Sequence, residues 1–143
     1  TLFSADSKVK AFSPGPEVEV LDNDLVLSYG READEIIMND REYDVLRERG
    51  VGTSQMMQDE EDTLVVTSDD EVRVHQRSGV TAYDVDNVEN PVDTIGAGDA
   101  FSTNYVVSRA QGKSLEACVR DGIDQATKIV RRLGATPWKN YRS

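Results

Sequence analysis

Leu64, Val65 and Val66 follow one another without a polar break between Thr63 and Thr67, and this run limits the fold more than any other stretch. A strand with one wet face alternates apolar and polar residues. A continuous apolar run instead suits a strand covered on both faces. Such strands occur in sheets with helices packed against them, so the chain must also supply helices between its strands. It does. Val9 to Phe12 and Glu35 to Met38 read as further strands, the second ending at Asn39. Asp40 to Arg49 then reads as a helix with Tyr43, Val45 and Leu46 inward and Gly50 as its stop. Leu25 to Ala33 is ambiguous, with a short helix through Leu25-Val26-Leu27 preferred, and Thr53 or Ser54 would cap another helix through Met56 and Met57. Glu71 to His75 and Val80 to Tyr83 suggest a hairpin turning at Arg77-Ser78-Gly79. A helix is expected from Ala100 to Gln111. Ser114 would cap a last one, whose Leu115, Cys118, Val119, Ile123, Ala126, Ile129, Val130 and Leu133 recur at helical spacing. The expectation is an α/β fold with a mostly parallel sheet and a β-hairpin, forming one domain over residues 1–143.

Charge narrows the partners. The chain carries 27 acidic and 16 basic residues, a net charge of −11. Nucleic acid and anionic membrane surfaces both demand basic patches, so neither is an expected partner. Asp outnumbers Glu sixteen to eleven and only five residues are Lys, a balance that suits a surface in a salt-rich, halophile-like cytoplasm. The single Cys118 cannot form an internal disulfide and falls on an apolar helical stripe, so it reads as a small core residue. His75 has no second His or Cys nearby to share a metal and reads as structural. No apolar run approaches a membrane span and no signal-peptide pattern opens the chain, which makes a cytoplasmic location the default.

The chemistry concentrates in Asp93-Thr94-Ile95-Gly96-Ala97-Gly98-Asp99-Ala100-Phe101. Glycine permits sharp turns and close approach to main-chain N–H groups, and a helix start adds unpaired donors and partial positive charge. A phosphate is well received there. Asp99 would repel that anion unless it serves another purpose, such as taking a proton from a hydroxyl. Donors for a phosphoryl group beside a carboxylate base are what phosphoryl transfer to an alcohol requires. The alternative is an ordinary Gly-rich turn with Asp as a cap. No Gly-Lys-Ser/Thr follows, so this is not a P-loop, and the dinucleotide fingerprint is absent too.

The nine-residue string resembles the C-terminal signature of the ribokinase-like (PfkB) carbohydrate kinases, Asp-Thr-x-Gly-Ala-Gly-Asp-x-Phe. Asn39-Asp40-Arg41-Glu42 resembles the family's Asn-x-x-Glu element, and Leu64-Val65-Val66-Thr67 the strand leading to its nucleotide loop. Ser114-Leu115-Glu116 and the helix ending at Gly134-Ala135-Thr136 resemble its closing element, so the likeness runs from about Lys8 to Pro137. It implies a three-layer, Rossmann-like ribokinase fold. It also implies that the chain is the C-terminal half of a kinase domain roughly twice its length, lacking the N-terminal half and lid. That fragment would be inactive alone, and the full-length protein would be a candidate homodimer.

By resemblance, Asp99 deprotonates a hydroxyl of a sugar or nucleoside, and the N–H groups of Gly96, Ala97 and Gly98 form an anion hole for the γ-phosphoryl of ATP. Thr67 borders the nucleotide, and Asn39 and Glu42 help hold Mg2+ through water. Asp93 and Thr94 either contribute to a monovalent-cation (K+) site or merely order the turn. Ligands of open α/β sheets collect beyond the carboxyl ends of strands, so these segments are expected to converge on one sheet edge. Two departures qualify the likeness. The family's loop reads Thr-x-Gly-x-x-Gly, but Ser68-Asp69-Asp70-Glu71-Val72 follows Thr67 here, with no glycine and three acids. Ile123 stands where the family often has an Asn near the adenine. The reading that follows is an ATP-dependent phosphotransferase; the alternative is a non-catalytic remnant acting as a binding or regulatory module.

Overall fold

The computed structural model describes residues 2–5, 9–85 and 95–135, with side-chain environments for 9–15, 17–85 and 100–128. The described chain falls into two compact units, Thr1–Tyr83 and Asp84–Ser143.

The first unit is built on a sheet whose strand order follows the chain: β1 (Leu2–Ala5), β2 (Val9–Phe12), β3 (Glu35–Asn39), β4 (Thr63–Thr67), β5 (Glu71–Gln76) and β6 (Gly79–Asp84). Its centre is parallel, β2 with β3 and β3 with β4, while β1 and β5 add antiparallel partners on either side. Helices α1 (Asn23–Glu32), α2 (Asp40–Glu48) and α3 (Thr53–Met56) lie in the crossovers between the parallel strands. Parallel neighbours require such crossovers, because a tight turn can only reverse the chain.

The apolar run behaves as its composition demands. Ile36 and Met38 of β3 and Leu64 and Val66 of β4 join Phe12, Val26, Leu46 and Met56 in one core cluster. Ile37 and Val65 alternate with them, so they point to the opposite face, and they are buried as well. Each fully buried side chain of this kind contributes roughly 1.5–3 kcal/mol relative to exposure.

The element ends add detail to the sequence reading. β2 stops at Phe12, before Ser13-Pro14-Gly15-Pro16, and Pro16–Val20 then winds into a 3₁₀ turn with Pro in its first turn. Arg49 secures that turn by donating from Nη1 to the Val18 carbonyl at 2.8 Å and from Nη2 to the Leu21 carbonyl. Helix α3 starts at Thr53 with Gly52 as its cap. The Gln55 side chain accepts the Gly52 N–H at 2.7 Å, which orders the start without a hydroxyl. Gly50 ends α2 at φ +84°, a left-handed conformation that disfavours any residue with a Cβ.

The second unit is a helical hairpin, α4 (Ile95–Ala110) and α5 (Leu115–Ala135). Ser114 caps α5 as expected, its Oγ accepting the Ala117 N–H at 3.2 Å. Phe101, Tyr105, Val106, Cys118 and Val119 are buried, and the Phe101 and Tyr105 rings stack 5.8 Å apart. Gly122 lets the hairpin close: a Cβ there would meet Phe101 at 2.7 Å. Helix α4 begins five residues ahead of Ala100, so Gly96 to Asp99 lie inside its first turns and not in a loop before it.

Candidate active site

The parallel register sets Asn39 directly beside Thr67, so the carboxyl ends of β3 and β4 coincide. The chain leaves these two ends in different ways.

At the end of β3, Asn39 becomes the N-cap of α2. Its Oδ1 accepts the Glu42 N–H at 2.8 Å, and Glu42 Oε1 accepts the Asn39 N–H at 3.1 Å. This reciprocal capping box satisfies two helix-end donors at once. It is also the local structure that Asn-x-x-Glu favours with no ligand present. Glu42 is only 6% exposed, an unusual place for a carboxylate. Burial pushes its pKa above the usual glutamate value, while the Asn39 N–H and the Arg41 charge pull it back down. A carboxylate held at this cost would gain from a nearby cation. No group of three or more His, Cys, Asp or Glu forms a cage for a metal ion among the described residues.

At the end of β4, the chain doubles back into β5 through Ser68-Asp69-Asp70-Glu71. The Ser68 N–H and Oγ both donate to the Glu71 carbonyl at 2.9 Å, and the Glu71 N–H returns a bond to Ser68 Oγ at 3.2 Å. Ser68 thus closes the turn, a role that Ser commonly takes and that went unassigned in the sequence. Asp69 and Asp70 are exposed at its tip. Thr67 sits half-buried at the strand end, next to an acidic turn.

The signature segment belongs to the other unit. Gly96, Ala97, Gly98 and Asp99 fall in the first turns of α4. The leading N–H groups of a helix have no carbonyl one turn behind them, so donors and the positive end of the dipole gather there. Asp93 and Thr94 lie outside the described residues. Asn39, Glu42 and Thr67 are therefore brought together at one sheet edge, and the glycines and Asp99 are together at one helix start.

Two other expectations are met in detail. Cys118 is fully buried, and its Sγ lies 3.6 Å from the Lys113 carbonyl. His75 packs its ring 5.6 Å from that of Tyr43. Burial, and then the charge of Arg73, hold its pKa below the ordinary histidine value. No described helix is long and apolar enough to cross a membrane.

Residues 25–140 match the profile of the pfkB family carbohydrate kinases. Over 76 residues, 52% of its length, the chain is 36% identical to adenosine kinase 1 of Arabidopsis thaliana, and it spans 22% of that protein. It is 37% identical over 46 residues, 32% of its length, to cytidine kinase of Thermococcus kodakarensis, of which it spans 16%. Among solved structures, a nucleoside kinase of Methanocaldococcus jannaschii, an archaeal member of the ribokinase family, superposes with a TM-score of 0.72 at 18% identity, over 85% of this chain and 41% of that one. Adenosine kinase of Schistosoma mansoni, solved with 2-fluoroadenosine, gives 0.71 at 15% identity, over 84% and 41%. These likenesses establish the α/β ribokinase fold.

Proposed function

The chain belongs to the pfkB family of carbohydrate kinases, and we propose that it carries the phosphoryl-transfer side of a site that phosphorylates a hydroxyl of a sugar or nucleoside. The observation that carries this reading is the family match over residues 25–140, with the whole string Asp93–Phe101 inside it. Nucleosides are the first acceptors to test, since adenosine, cytidine and nucleoside kinases recur among the relatives.

In this proposal Asp99 accepts the proton of the acceptor hydroxyl as its oxygen bonds to the γ-phosphorus of ATP. The bond from that phosphorus to the β–γ bridging oxygen breaks, and ADP leaves with the electron pair. Main-chain N–H groups of Gly96, Ala97 and Gly98 face the charge on the transferring group, helped by the dipole of α4. Such donors act without reorganising, because the helix already fixes them.

Asn39 and Glu42 fit a magnesium ion only loosely. The only side-chain oxygen of Asn39 and one of the two of Glu42 are engaged in the capping box, so they would meet the ion through its waters, as magnesium commonly allows. The ion would supply charge for the polyphosphate. Thr67 would border the donor nucleotide. Asp93 and Thr94 are proposed either to hold K+ or to order the turn.

The test is ATP-dependent phosphorylation of a panel of nucleosides and pentoses, by this chain and by any longer chain that contains it. Asp99→Asn should lower turnover by about 100-fold or more, the usual weight of a general base. Turnover nearly unchanged in Asp99→Asn would exclude the assigned base.

One observation favours a second reading, a non-catalytic binding or regulatory module. The turn Ser68–Glu71 is closed by its own hydrogen bonds and carries three acids beside the place where polyphosphate would lie. Calorimetry with magnesium-ATP separates the two readings, since clear binding argues for the kinase and none for the module. The chain spans only 41% of the solved kinases it resembles, so the acceptor half of any site is beyond what this chain is proposed to supply.

A further inference from the structure

We propose that strand β6 is a pairing edge, where a second copy of this chain lays its own β6 antiparallel to the first and closes a two-fold dimer. β6 (Gly79–Asp84) is the last strand in the sheet order, and no described strand pairs with its outer side. The backbone N–H and C=O groups of a strand alternate between its two sides, so an edge strand offers a row of both to whatever comes alongside. On β6 that row is reachable. Gly79, Val80, Thr81, Ala82 and Asp84 are all exposed, Val80 to 58%.

Edges that stay single are commonly guarded by charged side chains or proline, which discourage a neighbouring strand. β5 carries Glu71 and Arg73 along its length. β6 has no such guard, since Gly79-Val80-Thr81-Ala82-Tyr83 contains neither a charge nor a proline. Its Val, Thr and Tyr are residues that suit a pleated strand. Two copies of a chain with net charge −11 repel each other unless they meet where acids are few. This segment is such a place.

The charges at its two ends point to the occupant. Arg77 stands in the turn that opens β6, and Asp84 closes the strand. A parallel copy would set Arg77 beside Arg77 and Asp84 beside Asp84. An antiparallel copy sets the basic end of each strand beside the acidic end of the other, twice over, and brings the two Thr81 residues together near the middle. The segment is complementary to itself, as a two-fold interface requires. Pairing through the same edge of both copies uses up that edge, so assembly through β6 stops at two. Six residues a side make a small interface, and the dimer is therefore weak and reversible.

The experiment is sedimentation velocity of this chain over a series from about 10 µM to about 1 mM, a range that suits a weak dimer. The native chain should pass reversibly from monomer to dimer. Thr81→Lys and Thr81→Glu each set like charges face to face, and each alone should dimerise about tenfold more weakly. An equimolar mixture of the two should recover the native dimerisation, because Lys then faces Glu. Thr81 is exposed, so both variants keep the core, and circular dichroism checks that they do. Asp84→Arg should weaken dimerisation about threefold, and serves if a Thr81 variant folds poorly. Val107→Ser, which removes an exposed apolar side chain on α4, should change nothing. A chain that stays monomeric throughout, a mixture no tighter than its parts, or equal weakening in Val107→Ser would overturn the proposal. Growth past the dimer that Thr81→Lys leaves unchanged would overturn it too, because association would then use another surface. None of these outcomes depends on kinase activity.

Discussion

The ends of β3 and β4 stand side by side, Asn39 opposite Thr67, yet the chain leaves this sheet edge in opposite ways. After β3 the chain enters a helix through a reciprocal cap, with a buried carboxylate one turn in. After β4 it reverses through a self-closed turn that exposes Asp69 and Asp70. On the proposed reading, the first junction would receive a cation through its waters and the second would disfavour an anion. The first also stabilises the local fold by itself, because its two side chains cap the helix.

Removing the cap challenges the first half of this contrast and carries the largest expected effect. Asn39→Ala should cost about 1–2 kcal/mol, read by urea unfolding, because both reciprocal bonds are disturbed. A loss near zero would mean that the Asn39–Glu42 pair is not structural. The turn offers the complementary test. Replacing Asp69 by Gly puts a glycine where the Thr-x-Gly-x-x-Gly pattern has its first one and removes an exposed acid, and should tighten magnesium-ATP binding by about tenfold, or ~1.4 kcal/mol. Unchanged affinity would show that the turn is not what limits the nucleotide.

The smallest effects lie in the pH dependence of stability, where buried Glu42 and half-buried His75 act with opposite sign. Glu42 has a raised pKa when folded, so the unfolded chain releases its proton first, and this group's contribution to stability falls as pH rises through 4.5 to the folded value. His75 has a lowered pKa when folded. Its contribution is full above 6.5 and is lost as pH falls from there toward the folded value. Glu42→Gln should flatten the first limb and His75→Gln the second, in unfolding free energies measured across pH. A Glu42→Gln variant that unfolds with the native pH profile would mean its carboxyl is not held at a cost.

Much of the first unit was legible from local pattern. The capping box of Asn39 and Glu42 spans three residues, so sequence spacing alone places it. The run Leu64–Val66 declared a strand covered on both faces, and Ile37 and Val65 are indeed buried on the face turned away from the helical core. What escaped reading was non-local or conformational. Pro14 and Pro16 signal a break, but the 3₁₀ turn is also held by the Arg49 side chain, 31 residues beyond Val18. The start of α4 was set five residues late because glycine has a low helix propensity, which the surrounding helix overrides.

The sequence by itself determined the type of most elements and the family, and it nominated Asp99 as the candidate base, since these rest on patterns and motifs each a few residues long. Only the tertiary structure decided that Asn39 and Thr67 share an edge, that Ser68 shuts the turn beside them, and that Arg47 and Arg73 each lie over the Tyr43 ring. The reason is physical. Helix caps and apolar periods act over three or four residues, whereas strand register and cation–ring contacts are fixed by how distant segments pack.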